Sequence, residues 1–589
     1  ALPQIAILSF ENLSPDASLN WMGAGFAAIL SAELQGSPQL YALPWRSLQA
    51  FAATLGSRPD APGVSTENAE ALVAGANQIV YGYFSIVNGV LHATADQEDL
   101  LAHQVVRTVT ATGPASGGIF PVAAALARQL GETHPYGTHS EPALRDFLAA
   151  RESPDPAAAA QGFAEATQAD PDFGPPYVYW LELAIAARNR AAADQIIAQA
   201  RAHEARFSGI DRAELDLAAA ALRADFPAQL EALRTLTRLD PANPDHHRAL
   251  ASALMSARNY NDALVEFRRA LTIRPDDPAA LNAMGYAATF SGDLPTAIRV
   301  LRGYEHLRPS DPNPLDSLGD AHFALGHFAE AEQFYLAAHA RSAAFLNGGE
   351  LLKAAQARLM AGDVAGATAF FNRYRTERDA AHDPNVPYQA AVWSWQTGAR
   401  PSAITAMDRL ARSDEAGQQR ADAQIALWLL ESGDRPAAIE HARKSVSEAA
   451  GAFAPLAALV ANLVQPEAFP APAPSPFKDY ARAYALLLNR QFKPAADALQ
   501  DLYRRPTNDL DDGLAVLLAW AYEESGDWRR AEPLLRLTPL PEAAGPSIFA
   551  SFYFPRLFAL RAAVLDHNGH HAEAARYNQL FRKLGGAGL

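Results

Sequence analysis

Apolar positions at the start of the chain come as short runs, and only afterwards at helical spacing. Residues 5–10 (Ile-Ala-Ile-Leu-Ser-Phe) are almost continuously apolar, as in a strand buried on both faces. Turn chemistry follows in Glu11-Asn12-Leu13-Ser14-Pro15-Asp16. Leu19, Met22, Phe26, Ile29, Leu30 and Leu34 then recur at the spacing of one helix face. A second strand is predicted over 40–43, ending at Pro44, and a helix over 65–76, capped by Ser65 with Glu67 in its first turn. Runs over 79–87 and 90–95 flank Asn88-Gly89, two residues that tolerate positive φ, and so predict a hairpin. A strand over 105–111 and a helix over 119–130 complete an α/β module in the order β-α-β-α-β-β-β-α.

Beyond residue 142 the pattern changes to a helical period that repeats. Ala263, Phe267 and Ala270 before Pro275 recur as Ala297, Leu301 and Tyr304 before Pro309, then as Ala331, Tyr335 and Ala338 before Ala343, about 34 residues apart. Leu250-Ala251, Met284-Gly285 and Leu318-Gly319 precede them on a first helix. Small residues suit a close crossing of two helices, while the aromatic fills the space beneath the next hairpin. Weaker copies include Ala159-Phe163-Ala166, Ala193-Ile197-Ala200, Ala367 with Phe371, Ala403 with Met407, Ala495 with Leu499, Ala531 with Leu535, and Ala574. Gly-Asp recurs at 292–293, 362–363, 433–434 and 526–527, where Gly ends one helix and Asp starts the next. The pattern resembles the tetratricopeptide repeat (TPR), and about eleven or twelve hairpins are expected. Residues 466–476 are rich in proline and cannot be helical. They are either a long loop packed on the array or a hinge.

The stretch IAILSFENLSPDASLNWMGAGFAAILSAELQ, with the later NQIVYGYFSIVNGVLHATADQED, resembles the TolB-like N-terminal domain, related to the CsgG and FlgO group. Ser9 stands where that family usually carries Pro, and Gln97-Glu98-Asp99-Leu100 replaces its common turn. The resemblance implies a non-enzymatic α/β domain of bacterial cell-envelope proteins, or one fused to repeats behind kinase, cyclase or transcriptional modules. The expected organisation is a TolB-like α/β domain over 1–131 and a linker over 132–141. A main TPR-like block over 142–465, the Pro-rich linker over 466–476 and a C-terminal TPR-like block over 477–589 follow. The fold class is therefore mainly α, an α/β domain followed by an α-helical TPR superhelix, or solenoid.

Composition narrows the function classes. A chain of 589 residues exceeds one hydrophobic core, so several domains or a repeat array must carry it. Its 49 Lys and Arg against 65 Asp and Glu give a net charge of -16, which argues against nucleic acid and against anionic membranes. No cysteine is present, which excludes disulfides, thiolate metal sites and Cys nucleophiles. No apolar run reaches the ~18–20 residues of a membrane span. The chain opens at Ala1 directly into a strand, so removal of a signal or anchor and a periplasmic or otherwise extracytoplasmic location are expected.

Candidate chemistry is sparse. Gly23 and Gly25 sit inside a helix start without the Lys-Ser/Thr of a phosphate loop, so they read as helix packing. His246-His247 and His570-His571 diverge by roughly 100° on a helix, cannot chelate alone, and read as exposed helix-end residues. No cofactor, metal or catalytic set is expected. The groove of a TPR superhelix is lined from the first helix of each hairpin, which in the clearest units points to Arg248, Ser252, Asn282, Tyr286, Asp316 and Asp320. This mixed polar and acidic set suits a protein partner presented as an extended peptide or a helix with basic character. The leading expectation is a protein-binding scaffold of the cell envelope. The alternatives are the sensor region of a membrane receptor with a kinase or cyclase upstream, and a structural subunit of a larger assembly.

Overall fold

The computed structural model describes residues 2–44, 75–413, 418–448, 454–465, 476–507, 513–541 and 554–586. By contacts it forms two compact units, Ala1–Leu254 with Val265–Asp277, and Met255–Leu264 with Pro278–Leu589.

The first unit contains a six-stranded sheet. Its strands are β1 (Gln4–Ile7), β2 (Glu11–Asn12), β3 (Tyr41–Ala42), β4 (Gln78–Val87), β5 (Val90–Asp99) and β6 (Gln104–Pro114), in the order β3-β1-β4-β5-β6 with β2 beside β4. β1 runs parallel to β3 and β4, whereas β4, β5 and β6 are antiparallel. Asn88 and Gly89 take φ of 53° and 75°, as the tight β4–β5 turn requires. Gln97, Glu98 and Asp99 belong to β5 rather than to a loop, and the turn comes afterwards, with Asp99 accepting from the amides of Leu101 and Ala102. The expected helix from Ser65 lies up to residue 74 outside the described residues, and Ala76 is not helical.

One face of this sheet is covered by the helices Trp21–Leu34 and Phe120–Leu130. Ile5, Ile7, Phe26, Ile29, Val80, Phe84 and Leu126 form its core. Gly23 permits the close approach, because a Cβ there would lie 2.2 Å from the carbonyl oxygen of Phe10. The same core continues into Phe147, Phe163 and Phe173 of the first repeats. Residues 132–141, read from sequence as a linker, are folded into it: Tyr136 is buried between Phe120 and Phe173, at ring distances of 6.2 and 5.7 Å. The other face, with Leu8, Tyr41, Leu43, Ile79 and Leu100, packs around Ala242 of the repeats. Polar ties reinforce this packing. Gln4 Nε2 donates to Ile273 O at 2.7 Å, and the Gly36 amide donates to Asp240 Oδ1 at 3.1 Å.

The rest of the chain is a mainly α-helical TPR-like solenoid. Among the described residues, nine consecutive helix pairs run from Glu141–Glu152 with Pro156–Ala169 to Gln418–Glu431 with Arg435–Glu448. A single helix, Ala454–Val464, and three further pairs follow, ending with Arg556–His567 and His571–Lys583. The Pro-rich segment lies, up to residue 475, outside the described residues. The small-residue positions are buried throughout, including Ala263, Ala297, Ala331, Ala403, Ala495 and Ala574. The Gly-Asp turns act as the sequence implies. Gly292 has φ of 84°, and Asp293 Oδ1 accepts from the Thr296 amide at 3.1 Å. Gly362-Asp363, Gly433-Asp434 and Gly526-Asp527 repeat the arrangement.

A Cβ on Gly319 would meet the fully buried Tyr335 ring at 2.4 Å. Gly319→Ala is therefore expected to destabilise the chain by about 1–3 kcal/mol in denaturant titration. Gly303→Ala, whose added methyl would find nothing nearer than Leu281 Cδ2 at 3.9 Å, should instead stabilise it by up to ~1 kcal/mol.

Candidate functional site

Four of the six candidate groove residues meet in the second unit. The helix Pro278–Ser291 supplies Asn282 and Tyr286, and the helix Asn313–Ala324 supplies Asp316, Ser317 and Asp320. Tyr286 Oη donates to Asp320 Oδ2 at 2.8 Å across a separation of 34 residues, one full repeat. Beside it Ser317 Oγ donates to Asn282 Oδ1 at 2.8 Å. The third first-helix, Gly349–Met360, adds Glu350 and Lys353. Lys353 Nζ bridges Asp316 and Asp320, 2.8 Å from Asp320 Oδ1, and lies 5.0 Å from the centroid of the Tyr335 ring. Tyr335 Oη donates to the same Asp320 oxygen at 2.9 Å. A ladder thus runs across three consecutive repeats, with Asn282 and Tyr286 half-exposed and Asp316, Asp320, Glu350 and Lys353 buried.

The protonation states follow from burial and proximity. Burial alone would favour neutral Lys353, but Asp320, Asp316 and Glu350 outweigh it and hold the ammonium above its ordinary range. Burial, then the charge of Asp320, pushes the Asp316 carboxyl up to about 6 against the pull of Lys353. Burial and Asp316 together push Glu350 up to about 9. Neither Glu350 oxygen has a hydrogen-bond partner in the protein, and burial beside Asp316 favours its neutral form. Asp316 and Asp320 both face the Lys353 ammonium, which offsets much of their charge.

Arg248 and Ser252 are not part of this network; they belong to the first unit. Arg248 Nη2 pairs with Asp245 Oδ1 at 2.9 Å, an aspartate that Arg274 also reaches at 3.4 Å. Ser252 is exposed, and its Oγ donates to Arg248 O. The expectation of exposed histidines is corrected for one pair. His247 is buried, with Nδ1 2.6 Å from Glu266 and Nε2 3.0 Å from Pro241 O, and His246 is largely covered. The start of their helix lies against the N-terminal sheet, around Ala242, and that tertiary packing removes them from solvent. His570 and His571 are exposed. Glu350 and Lys353 were not picked out from sequence. Lys353 lies 37 residues after Asp316, because the irregular turn Phe345–Gly348, with left-handed Leu346, Asn347 and Gly348, shifts the register of that repeat.

Among the described residues no three His, Asp or Glu converge to hold a metal ion, and no helix is long and apolar enough to cross a membrane.

Removing Lys353 would leave two buried carboxylates uncompensated, so Lys353→Met is expected to cost about 3–5 kcal/mol in equilibrium unfolding. Glu350 adds a pH dependence. The unfolded chain releases this proton near 4.5 and the folded chain near 9, so stability falls as pH rises through that window. Glu350→Gln should remove that slope and leave the variant more stable than the parent at pH 8.

No family model matches the sequence, and no curated protein matches it. Several solved structures are similar to part of the chain. YrrB, a TPR protein with an unusual peptide-binding site, is 15% identical with a TM-score of 0.28, over 32% of this chain and 95% of that one. The MamA protein is 16% identical with a TM-score of 0.26, over 29% of this chain and 92% of that one. MamA 41-end from Desulfovibrio magneticus RS-1 is 16% identical with a TM-score of 0.26, over 30% and 98%.

Proposed function

We propose that this chain is a non-enzymatic protein-binding scaffold whose TPR-like array holds a protein partner. The observation that carries the reading is the ladder from Tyr286 through Asp320 to Lys353. It joins the first helices of three consecutive repeats through a buried network whose partly exposed members are Asn282 and Tyr286. A groove lined by such helices recognises an extended peptide or a helix by repeated, evenly spaced contacts. Lys353 already neutralises much of the acidity of Asp316 and Asp320. A partner of basic character is therefore favoured by the net charge of -16 rather than by a bare carboxylate pair.

The finer parts of this reading are proposals on the same footing. Residues 1–131 are read as the TolB-like domain, supported by the parallel β1 between β3 and β4 followed by the antiparallel hairpins. Residues 142–465 and 477–589 are read as its repeat blocks. A cell-envelope, extracytoplasmic setting rests on that resemblance. Arg248 and Ser252, in the first unit, are read as candidate groove residues of that unit's own repeats.

Photo-crosslinking tests the assignment. A benzophenone side chain at position 252 or 282 should capture one discrete protein partner in the native host. The same group at the exposed Arg299, on a second helix, should capture far less. Equal capture at all three positions, or none at 252 and 282, would sink the groove reading.

A further inference from the structure

The first unit carries a solvent-open cavity of about 600 Å³ that the scaffold reading does not use. Ligand sites typically occupy ~300–1,000 Å³. It exists because the helix Trp21–Leu34 turns small residues, Ala28 and Ala32 among them, toward the repeats, and nothing larger fills the gap. Opposite stand the rings of Tyr136 and Tyr179.

Three carboxylates reach this cavity: Asp211, Glu214 and Asp245. Asp245 is committed to Arg248 and Arg274. The one guanidinium on the lining, Arg151, lies over the Phe147 ring at 5.6 Å. Asp211 differs from all of these. Its Oδ2 accepts from Ser208 Oγ at 2.7 Å, and no cation pairs with it among the described residues. Burial pushes its carboxyl up to about 6, against the hydrogen bonds from Ser208, so near neutral pH it is an ionised group lacking a counter-charge. With Asp245 paired, Asp211 leaves room for one positive charge.

We propose that this cavity binds a small organic monocation, a primary ammonium on an apolar stem. The ammonium pairs with Asp211, and the stem lies between the alanines of the helix Trp21–Leu34 and the rings of Tyr136 and Tyr179. Aromatic faces beside a desolvated cation strengthen such a site. The one unpaired charge of Asp211 selects against dications and against anions.

Calorimetry and ligand-observed NMR on the full chain test this with phenethylamine, using 2-phenylethanol and phenylacetate as same-stem controls. Phenethylamine is expected to bind saturably at pH 7.5, at least about tenfold more tightly than either control. Its affinity should fall as pH drops below about 6, where Asp211 becomes protonated; His134 and His246 also line the cavity, and loss of this pH dependence in Asp211→Asn assigns it to Asp211. Asp211→Asn should weaken it by about tenfold or more, with the fold checked by circular dichroism. Should that variant fail to fold, Ala32→Phe fills the cavity and should abolish binding. The proposal is overturned if phenylacetate or the alcohol binds as well as the amine, or if none binds at millimolar concentration. Undiminished amine binding to Ala32→Phe would overturn it too. None of these outcomes depends on a protein partner being found, so this site and the groove reading fail separately.

Discussion

The array depends on one recurring close approach, in which a small residue of one helix receives a bulky side chain of the next. Gly319 against Tyr335 and Gly285 against Leu301 leave no room for a Cβ, and the alanines at the matching second-helix positions are fully buried. Dispersion between surfaces in contact is strong only at such distances, and a gap of half an ångström already forfeits much of it. Each hairpin alone would expose one apolar side, so the cooperative gain comes from stacking, repeat on repeat. The same approach brings first helices close enough for side chains one repeat apart to hydrogen-bond, as Tyr286 and Asp320 do.

That closeness has an electrostatic consequence. Carboxylates drawn into the interface between first helices lose solvation, and they persist because Lys353 compensates them and Glu350 keeps its proton. The network is therefore both a structural tie and a constraint on recognition. Charge that an open groove would present to a ligand is largely spent within the protein, and Tyr286 and Asn282 are the partly exposed members of the network.

In the first unit the sheet and the repeats share a core rather than meeting at a linker. Phe147, Phe163 and Phe173 continue the hydrophobic cluster of the sheet, and Ala242 seals its opposite face. The small residues of the helix Trp21–Leu34 leave space beside the repeats, and the result is an open cavity of mixed polar and apolar lining.

Local chemistry made much of this legible in the sequence alone. The Asn88-Gly89 hairpin, the Gly-Asp turns and the period of about 34 residues are set by φ preference, capping and helix spacing, each decided within a few neighbouring residues. The small and aromatic positions of the repeats were legible for the same reason. Burial of His247, the folding of residues 132–141 into the core and the partnership of Lys353 with Asp316 were not. Each joins residues whose meeting depends on how elements stack and on a register shift at the turn Phe345–Gly348. Periodicity places a side chain on a helix face, but only tertiary packing decides whether that face meets water or another charge.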